Sequence, residues 1–367
     1  MRRRLTKEKA EILGLKLKPN DKGRSTARYY LNKDQELQLK GITDGCESLG
    51  VDPSTVKHLW KKNKENSIFI KNPLFVDEVE KTFEDLHKVI LEDIKKYKPN
   101  FVKIKRSKNK DGHLLIIDPA DIHIGKLSQE FETGEDYNEQ IAVKRVLEGV
   151  KGILEKAKGF NIDKILFIGG NDVLHIDSPK RETTAGTKQD TSGSWHSNFL
   201  VAKQMYIEVI ELLLPIADVH FVFNPSNHDF MSGFFLCSII ETYFHNCKNI
   251  SFDCDLKPRK YYAYGKNLIG SCHGDGAKIN DLGAIMSIEA KHLWAFADHR
   301  YFFTHHVHHK SSKDGYGITY ESLRSPSGTD AWHNKKGYGI GGIKAVEGYL
   351  CHPMHGQIAR LTHIFKS

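Results

Sequence analysis

The alternation of hydrophobic and polar positions changes character near residue 112 of this 367-residue chain. Ahead of that point the patterns are short and helical. Two short helices are predicted at "LNKDQELQLKGI" and "DPSTVKHLWKKNK", and Asp52–Pro53 supplies an N-cap and a first-turn proline for the second. A helix, a turn with glycine and a basic helix together outline a helix-turn-helix. Residues 77–97 carry a further helical stripe of apolar positions.

From His113 onward, short apolar runs alternate with longer amphipathic segments. The runs "HLLIIDPA", "KILFIGG" and "VHFVFNP" predict strands, each followed by a helix, at about residues 138–159, 198–214 and 230–245. Later strands are predicted at "KYYAYG", "NLIGSCHG", "YFFTHH", "AVEGYLC" and "IARLTHIF". This part of the chain starts with a βαβαβ pattern and continues with several further strands. That order predicts a layered α/β sandwich. We expect two domains, residues 1–110 and 111–367.

Composition narrows the class of protein. Hydrophobic residues make up 39% and charged residues 27%, as in ordinary globular proteins. No segment reaches the 18 or so consecutive apolar residues of a membrane span, and the basic N-terminus lacks the apolar core of a secretory signal. The six cysteines form no CxxC pair, which argues against a disulfide framework and a thiolate zinc site. We therefore expect a cytoplasmic protein with reduced cysteines and no membrane contact.

Charge is distributed unevenly along the chain. Residues 1–110 hold 27 Lys and Arg against 16 Asp and Glu, whereas the remaining residues hold 27 against 30. A basic arm ahead of a mildly acidic body is typical of a module that faces a polyanion. The alternative is a basic surface that is merely solvated.

Histidine, aspartate and asparagine follow five of the predicted strands. The segments are "DIHIG", "NDVLHID", "SNHD", "CHGD" and "THHVHH". Because the carboxyl ends of strands in α/β sheets gather their loops at one edge, we expect these side chains to converge. Positions i and i+2 of an extended segment point to the same side. Asp121 and His123 can therefore reach one metal ion together, and so can His306 and His308.

At these segments the chain resembles the calcineurin-like metallophosphoesterase superfamily, which includes the SbcD-like DNA repair nucleases. The family's motif series is DxH, GD, GNH[DE], H and GHxH. In this sequence the series is carried, in the same order, by Asp121/His123, Asp172, "SNHD" at 226–229, His273 and "HHVH" at 305–308. The resemblance covers roughly residues 112–310. It implies a four-layer αββα sandwich, preceded here by a small basic helical domain.

The resemblance also implies a ligand set for two divalent ions that share Asp172. One ion would be held by Asp121, His123, Asp172 and His308, and the other by Asp172, Asn227, His273 and His306. Such mixed ligands suit Mn²⁺, Fe or Zn²⁺ better than Ca²⁺; Mn²⁺ is the expected metal, with Ni²⁺ also open. Two ions about 3.5–4 Å apart would activate a bridging water and clamp a phosphate. His228 would protonate the leaving oxygen or stabilise the transition state.

Three positions depart from the family pattern. Asn171, Ser226 and His305 stand where the motifs have glycine, and serine tolerates the left-handed backbone region less well than asparagine or histidine. Substrate contacts are expected from a further set of residues near the motifs: His175, Asp177, Lys180, Arg181 and His309. For His175 and Asp177 a purely structural role is equally compatible with the sequence.

Two polar segments with interspersed aromatics, residues 177–195 and 310–342, suit the tracking and stacking of a nucleic-acid strand. They can equally be surface loops. We expect a two-metal phosphodiesterase that cleaves nucleic acid, foremost DNA, by attack of a metal-bridging hydroxide. The alternatives are a phosphatase or phosphodiesterase acting on phosphoprotein or small phosphoesters, and a DNA-binding regulator with a vestigial metal domain. By family resemblance a homodimer is expected, and a phage origin would place the protein in the host cytoplasm.

Overall fold

The computed structural model describes residues 3–6, 16–17, 26–30, 33–62, 66–75, 101–106, 111–337 and 342–365. The chain divides into two compact units, Met1–Lys98 and Pro99–Ser367. Residues 101–106, which the sequence places in the basic arm, belong to the second unit. Phe101 packs against Phe244, and the Ile104 amide donates to Asn249 at 2.9 Å. The role of residues 1–110 as a separate module stays a prediction.

The described residues of the first unit form five strands and one long helix. Strands β1 (Arg3–Thr6), β2 (Lys16–Leu17) and β3 (Thr26–Tyr30) form an antiparallel sheet in the order β1-β3-β2. Helix α1 (Lys33–Leu49) is followed by a single 3-10 turn, Pro53–Thr55, and an antiparallel hairpin of β4 (His58–Lys62) and β5 (Ser67–Lys71).

The predicted helix-turn-helix is therefore wrong: α1 continues through most of the predicted glycine-containing turn to Leu49, and the predicted second helix is a 3-10 turn followed by a strand. Asp52 caps the turn as expected, with its side chain accepting from the Ser54 amide at 2.9 Å. Beyond the turn the chain is extended, because the alternate residues Leu59 and Ile70 pack on α1, where Gly45 and Gly41 leave room for them. This packing of one cross-strand pair, Leu59 with Ile70, overrides the helical propensity of the lysines. The predicted stripe at residues 77–97 lies outside the described residues.

The second unit contains a six-stranded sheet that follows the predicted alternation. Strands β6 (His113–Asp118), β7 (Ile162–Gly170), β8 (Asp218–Asn224) and β9 (Ile250–Asp253) are parallel. The antiparallel pair β15 (Ala345–His352) and β16 (Gly356–Ile364) extends the sheet beside β6. The helices between these strands are α2 (Glu130–Thr133), α3 (Glu139–Lys156), α4 (Trp195–Leu213) and α5 (Phe230–Tyr243). Three of these helices and five of these strands were predicted from the sequence.

A second, five-stranded sheet has the order β10-β11-β12-β14-β13. Its strands are β10 (Lys260–Tyr264), β11 (Asn267–Ser271), β12 (His299–Thr304), β13 (Ser311–Asp314) and β14 (Thr319–Ser322). A 3-10 turn (Ile279–Asp281), α6 (Leu282–Glu289) and α7 (Lys291–Phe296) connect β11 to β12, and α8 (Ala331–Lys336) follows β14. The polar segment 310–342 thus contains two strands and a helix that the sequence did not predict.

Three groups of buried apolar side chains connect these elements. One lies between α3, α4, α5 and the six-stranded sheet, and includes Val150, Ile210 and Phe221. A second joins the two sheets, with residues such as Ile116 of β6 and Phe303 of β12. A third lies between the five-stranded sheet and α6. The second unit is a mixed α/β structure whose two sheets pack on each other.

The cysteines differ from the expectation. Cys237 of α5 and Cys254, just after β9, form a disulfide, whereas the other four cysteines are free and buried. The expectation that all six are reduced is wrong for this pair, because the fold brings together two positions 17 residues apart that share no local motif. Among the described residues, no helix combines the length and the apolar character needed to cross a bilayer.

Candidate metal centre

The residues predicted to bind metal follow β6, β7, β8, β11 and β12, and the backbone at most of them is strained. Seven described residues other than glycine have a positive φ, and five of these are predicted ligands: Asp121 (53°), His123 (50°), Asp172 (58°), His306 (70°) and His308 (57°). L-residues rarely adopt this region, and such conformations persist where the surrounding structure holds them in place. These residues are therefore not in the extended conformation expected from the sequence, and the expectation that His306 and His308 reach one ion together is wrong, since they belong to different groups of candidate ligands.

One group of candidate ligands combines Asp121, His123 and His308. Their ligand atoms lie within 4.8 Å of one another. His123 Nε2 is 3.2 Å from His308 Nε2, and His308 Nε2 is 3.6 Å from Asp121 Oδ1. Asp172 Oδ2 lies 3.9 Å from His123 Nε2 on the other side. These four side chains are the four predicted for the first ion.

A second group combines Asp172, His273 and His306, again within 4.8 Å. His273 Nε2 is at the centre, 3.1 Å from Asp172 Oδ2 and 3.2 Å from His306 Nδ1. Asn227 Oδ1 lies 2.8 Å from the same nitrogen. The structure thus brings together the four side chains predicted for the second ion, and the Asp172 carboxylate borders both groups.

The protonation states suit metal ligands. Burial lowers the pKa of His123 and of His308 well below the usual value for histidine, and neighbouring Lys126 adds to both effects. Burial also lowers the pKa of His306. These imidazoles are neutral at pH 7, which is the state in which a ring nitrogen has a lone pair for a metal.

The two carboxylates and His273 show why a cation fits between them. Burial raises the pKa of Asp121 to about 7. Burial opposes the charge of Asp172, but His273 and His228 outweigh it and hold its pKa below the usual range. Burial also opposes the charge of His273, yet Asp172 raises the pKa of that ring to about 9. Buried carboxylates that depend on a histidinium for compensation form a donor set that a divalent transition metal would satisfy.

Ser226, which replaces a motif glycine, has a distinct structural role. Its hydroxyl accepts from the Asp172 amide at 2.7 Å and donates to Asp229 Oδ1 at 2.6 Å. Asp229 Oδ2 in turn accepts from the Leu174 amide at 2.8 Å. Ser226 is not among the positive-φ residues, so the expected difficulty with a serine at this turn does not arise. The serine ties the loop of Asp172 to the loop of Asn227.

The other two replacements differ from each other. Asn171 adopts a left-handed φ of 53°, the region that asparagine tolerates. His305 does not adopt a positive φ; its buried ring pairs with Asp118 Oδ2 at 2.9 Å and donates from Nδ1 to the Cys272 carbonyl at 2.8 Å. His305 therefore connects β12 to the end of β6 beneath the site, which glycine could not do.

His228 is held in one orientation beside both ligand groups. Its backbone amide donates to Asp172 Oδ1 at 3.0 Å. Its Nδ1 is 2.9 Å from the His175 carbonyl oxygen, and because a carbonyl only accepts, Nδ1 carries the proton. This leaves Nε2 for exchange with a substrate. The ring lies 4.7 Å from the His123 ring and stacks on His175 at 5.2 Å.

The predicted substrate contacts have mixed surroundings. His175 is buried, with Nδ1 3.3 Å from Nδ1 of the predicted ligand His123. Both oxygens of Asp177 accept hydrogen bonds, among them one from the Ser232 amide at 2.7 Å in the first turn of α5. The remaining three, Lys180, Arg181 and His309, are exposed. Contacts of these five residues with substrate stay predictions.

A cationic cavity of about 350 Å³ adjoins His308. Lys126 and Lys344 line it, together with His309, Thr329 and other residues. Lys126 is almost fully buried, and its Nζ lies 3.3 Å from both the Gly328 carbonyl and Asp330 Oδ2. The sequence reasoning missed both lysines. Lys126 could have been found from its position directly after "DIHIG". Lys344 directly precedes β15 and belongs to no motif.

Comparison with known proteins adds likeness to solved structures only, since no protein-family model and no curated protein matches the chain. An archaeal phosphodiesterase is 8% identical, with a TM-score of 0.33 over 69% of this chain and 99% of its own. Vps29 from Entamoeba histolytica, complexed with zinc, is 13% identical with a TM-score of 0.27 over 69% and 99%. A predicted phosphoesterase from Streptococcus pneumoniae TIGR4 is 13% identical with a TM-score of 0.26 over 70% and 99%.

Likenesses this distant do not assign the chain to a family. The side chains of the site and the distances between them are therefore the basis for the function proposed below.

Proposed function

We propose that this protein is a metal-dependent phosphodiesterase of the calcineurin-like type and that it hydrolyses nucleic-acid phosphodiester bonds, as SbcD-like nucleases do. The observation that carries the proposal is the meeting of two ligand groups at one carboxylate, that of Asp172. Paired cations that share a carboxylate are a recurrent device for phosphoester hydrolysis. Asp121, His123 and His308 would hold one ion, and Asn227, His273 and His306 the other.

The proposal includes the four-layer αββα architecture. It is supported by the three groups of buried side chains, which lie between helices and sheet, between the two sheets, and between sheet and helix. In such an arrangement the motif loops emerge at the strand ends, where ligands bind in α/β proteins.

When bound, a pair of divalent ions, for which we propose Mn²⁺, activates water for attack and neutralises charge on the phosphate. The residues of the chain supply the remaining chemistry. His228 presents Nε2 toward the site because its Nδ1 donates to the His175 carbonyl. From that position it protonates the leaving oxygen or stabilises the transition state. His175 and Ser226 hold the ligand loops in register through His123 and Asp172.

Two features support a polyanionic substrate. Lys126 and Lys344 line the cavity next to His308, where the substrate's flanking phosphate would be attracted. Residues 1–110 carry most of the excess positive charge of the chain. We also propose a homodimer, since α5 leaves Phe230, Met231 and Phe235 exposed beside the site.

The test is an assay of the purified protein after metal removal and reloading with Mn²⁺, Zn²⁺ or Mg²⁺. Substrates are single- and double-stranded DNA, RNA, bis-p-nitrophenyl phosphate and p-nitrophenyl phosphate. The proposal predicts metal-dependent cleavage of nucleic acid and of the diester, and loss of both in Asp172→Asn. Hydrolysis of the monoester or of a phosphopeptide alone would identify a phosphatase instead. Full biological activity of the Asp172→Asn variant would make catalysis irrelevant.

A further inference from the structure

The β4–β5 hairpin of the first unit has two different faces. Leu59 and Ile70 are partly buried on the side of α1. The opposite face carries the cross-strand pairs His58–Lys71 and Trp60–Phe69. Side chains alternate along each strand, so these four residues share one surface of the ribbon.

The aromatic rings on this surface are exposed to solvent. Trp60 is 58% exposed and Phe69 is 49% exposed, with ring centroids 5.1 Å apart. His58 extends the row, with its ring 5.0 Å from that of Phe69. The three adjacent rings, whose planes are tilted by 42° and 58° to one another, form an aromatic row on a two-stranded ribbon. Large aromatic side chains normally bury most of their area, so an exposed row indicates a binding surface.

The charged residues of the two strands themselves are all lysines. The two strands read "HLWKK" and "SIFIK" and contain no acidic residue. Lys62 and Lys71 are exposed on the same face as the rings, whereas Lys61 lies on the face of Leu59. A partner for this face must therefore offer flat, stackable groups together with regularly spaced negative charge.

We propose that this face, the aromatic ribbon formed by His58, Trp60, Phe69, Lys62 and Lys71, binds single-stranded nucleic acid. Unpaired bases stack on Trp60 and Phe69, and the lysines contact the backbone phosphates. A duplex shields the faces of its bases, so exposed rings that stack on bases favour unpaired strands. The inference rests on the proposed function for its substrate class and adds where and in what form the nucleic acid is held.

The test measures binding separately from cleavage. In the full-length Asp172→Asn protein, fluorescence anisotropy gives the affinity for a single-stranded oligothymidine, a matching RNA and a duplex. We expect tighter binding of the single strands. Each aromatic truncation, Trp60→Ala or Phe69→Ala, should weaken their binding by about 5- to 150-fold, the range measured for base–aromatic stacking. Trp60→Phe should restore most of the affinity.

The control is Leu37→Ala on α1, which removes an apolar side chain that is 69% exposed in the same unit but off the ribbon. It should leave the affinity unchanged. Lys62→Gln with Lys71→Gln should reduce the salt dependence of binding. Because all these side chains are exposed, circular dichroism should show unchanged folding.

The inference is overturned if the aromatic variants bind single strands as tightly as the parent, or if duplex is preferred and equally affected. Its failure is distinct from failure of the proposed function. If the protein cleaves nucleic acid but Trp60→Ala does not change its affinity for single strands, only the inference about the aromatic ribbon is refuted. If binding depends on the aromatic residues but no metal-dependent cleavage occurs, the proposed nuclease function is refuted and the inference about the aromatic ribbon is retained.

Discussion

Replacing His228 with alanine separates its chemical role from metal binding. The backbone amide that donates to Asp172 remains in the variant, and no predicted ligand atom is removed. What disappears is the imidazole, with the 2.9 Å bond of Nδ1 to the His175 carbonyl and with Nε2. Loss of a general acid typically lowers kcat by about 10²- to 10⁴-fold. That corresponds to roughly 3–5 kcal/mol of transition-state stabilisation.

The size of the loss should depend on the leaving group. A nucleoside oxygen leaves poorly and needs a proton, whereas p-nitrophenolate leaves without one. His228→Ala should therefore lose the full factor on an oligonucleotide and much less on bis-p-nitrophenyl phosphate. Steady-state kinetics on both substrates at saturating Mn²⁺, with metal content measured by plasma mass spectrometry, gives the comparison.

A matched control is His196→Ala, which removes an exposed histidine whose ring contacts Ser194 rather than the site. It should change neither rate. The reasoning is refuted if His228→Ala loses the same factor on both substrates with its metal content intact. Loss of metal in the variant would instead show that the ring helps to hold an ion.

Three further predictions concern the surroundings of the site. Lys344→Gln should raise KM for an oligonucleotide by about tenfold, as expected for one lost charge-assisted contact, and leave kcat on the small diester unchanged. Ser226→Gly removes the hydrogen bonds of the hydroxyl to Asp172 and Asp229 and should lower the free energy of unfolding by about 1–3 kcal/mol, measured by urea titration. Burial lowers the pKa of His305, but the buried carboxylate of Asp118 outweighs burial and holds the pKa above the usual value for histidine. The His305–Asp118 pair therefore contributes its full share of folding stability below about pH 6.5, and this contribution declines as pH rises through the raised pKa. The stability difference between the metal-free protein and its His305→Gln variant should therefore shrink toward alkaline pH, and a difference that grows would contradict this assignment.

The alternating segments of the second unit could be predicted because their patterns are local. Apolar runs such as that of β7 and the N-cap Asn138 of α3 determine strand and helix from neighbouring residues. The candidate metal ligands could be singled out for a related reason, since each follows a predicted strand in a recurring motif. The structure brings the seven candidate ligands together as two groups around Asp172.

Features that depend on contacts between distant parts of the chain could not be predicted from the sequence. The hairpin at His58–Lys71 looks helical by composition and becomes extended because Leu59 and Ile70 pack on α1. Lys344, which lines the cavity, directly precedes β15 and lies more than 200 residues after the first motif. The disulfide of Cys237 and Cys254 likewise depends on how α5 lies against the end of β9.

The most direct test is crystallography of the manganese-loaded protein at the manganese absorption edge. The account predicts two anomalous peaks per chain, one contacted by Asp121, His123 and His308 and the other by Asn227, His273 and His306. Both should contact Asp172. The absence of peaks, or a single ion held by His123, His175 and His228, the third cluster within ligand distance, would contradict the account.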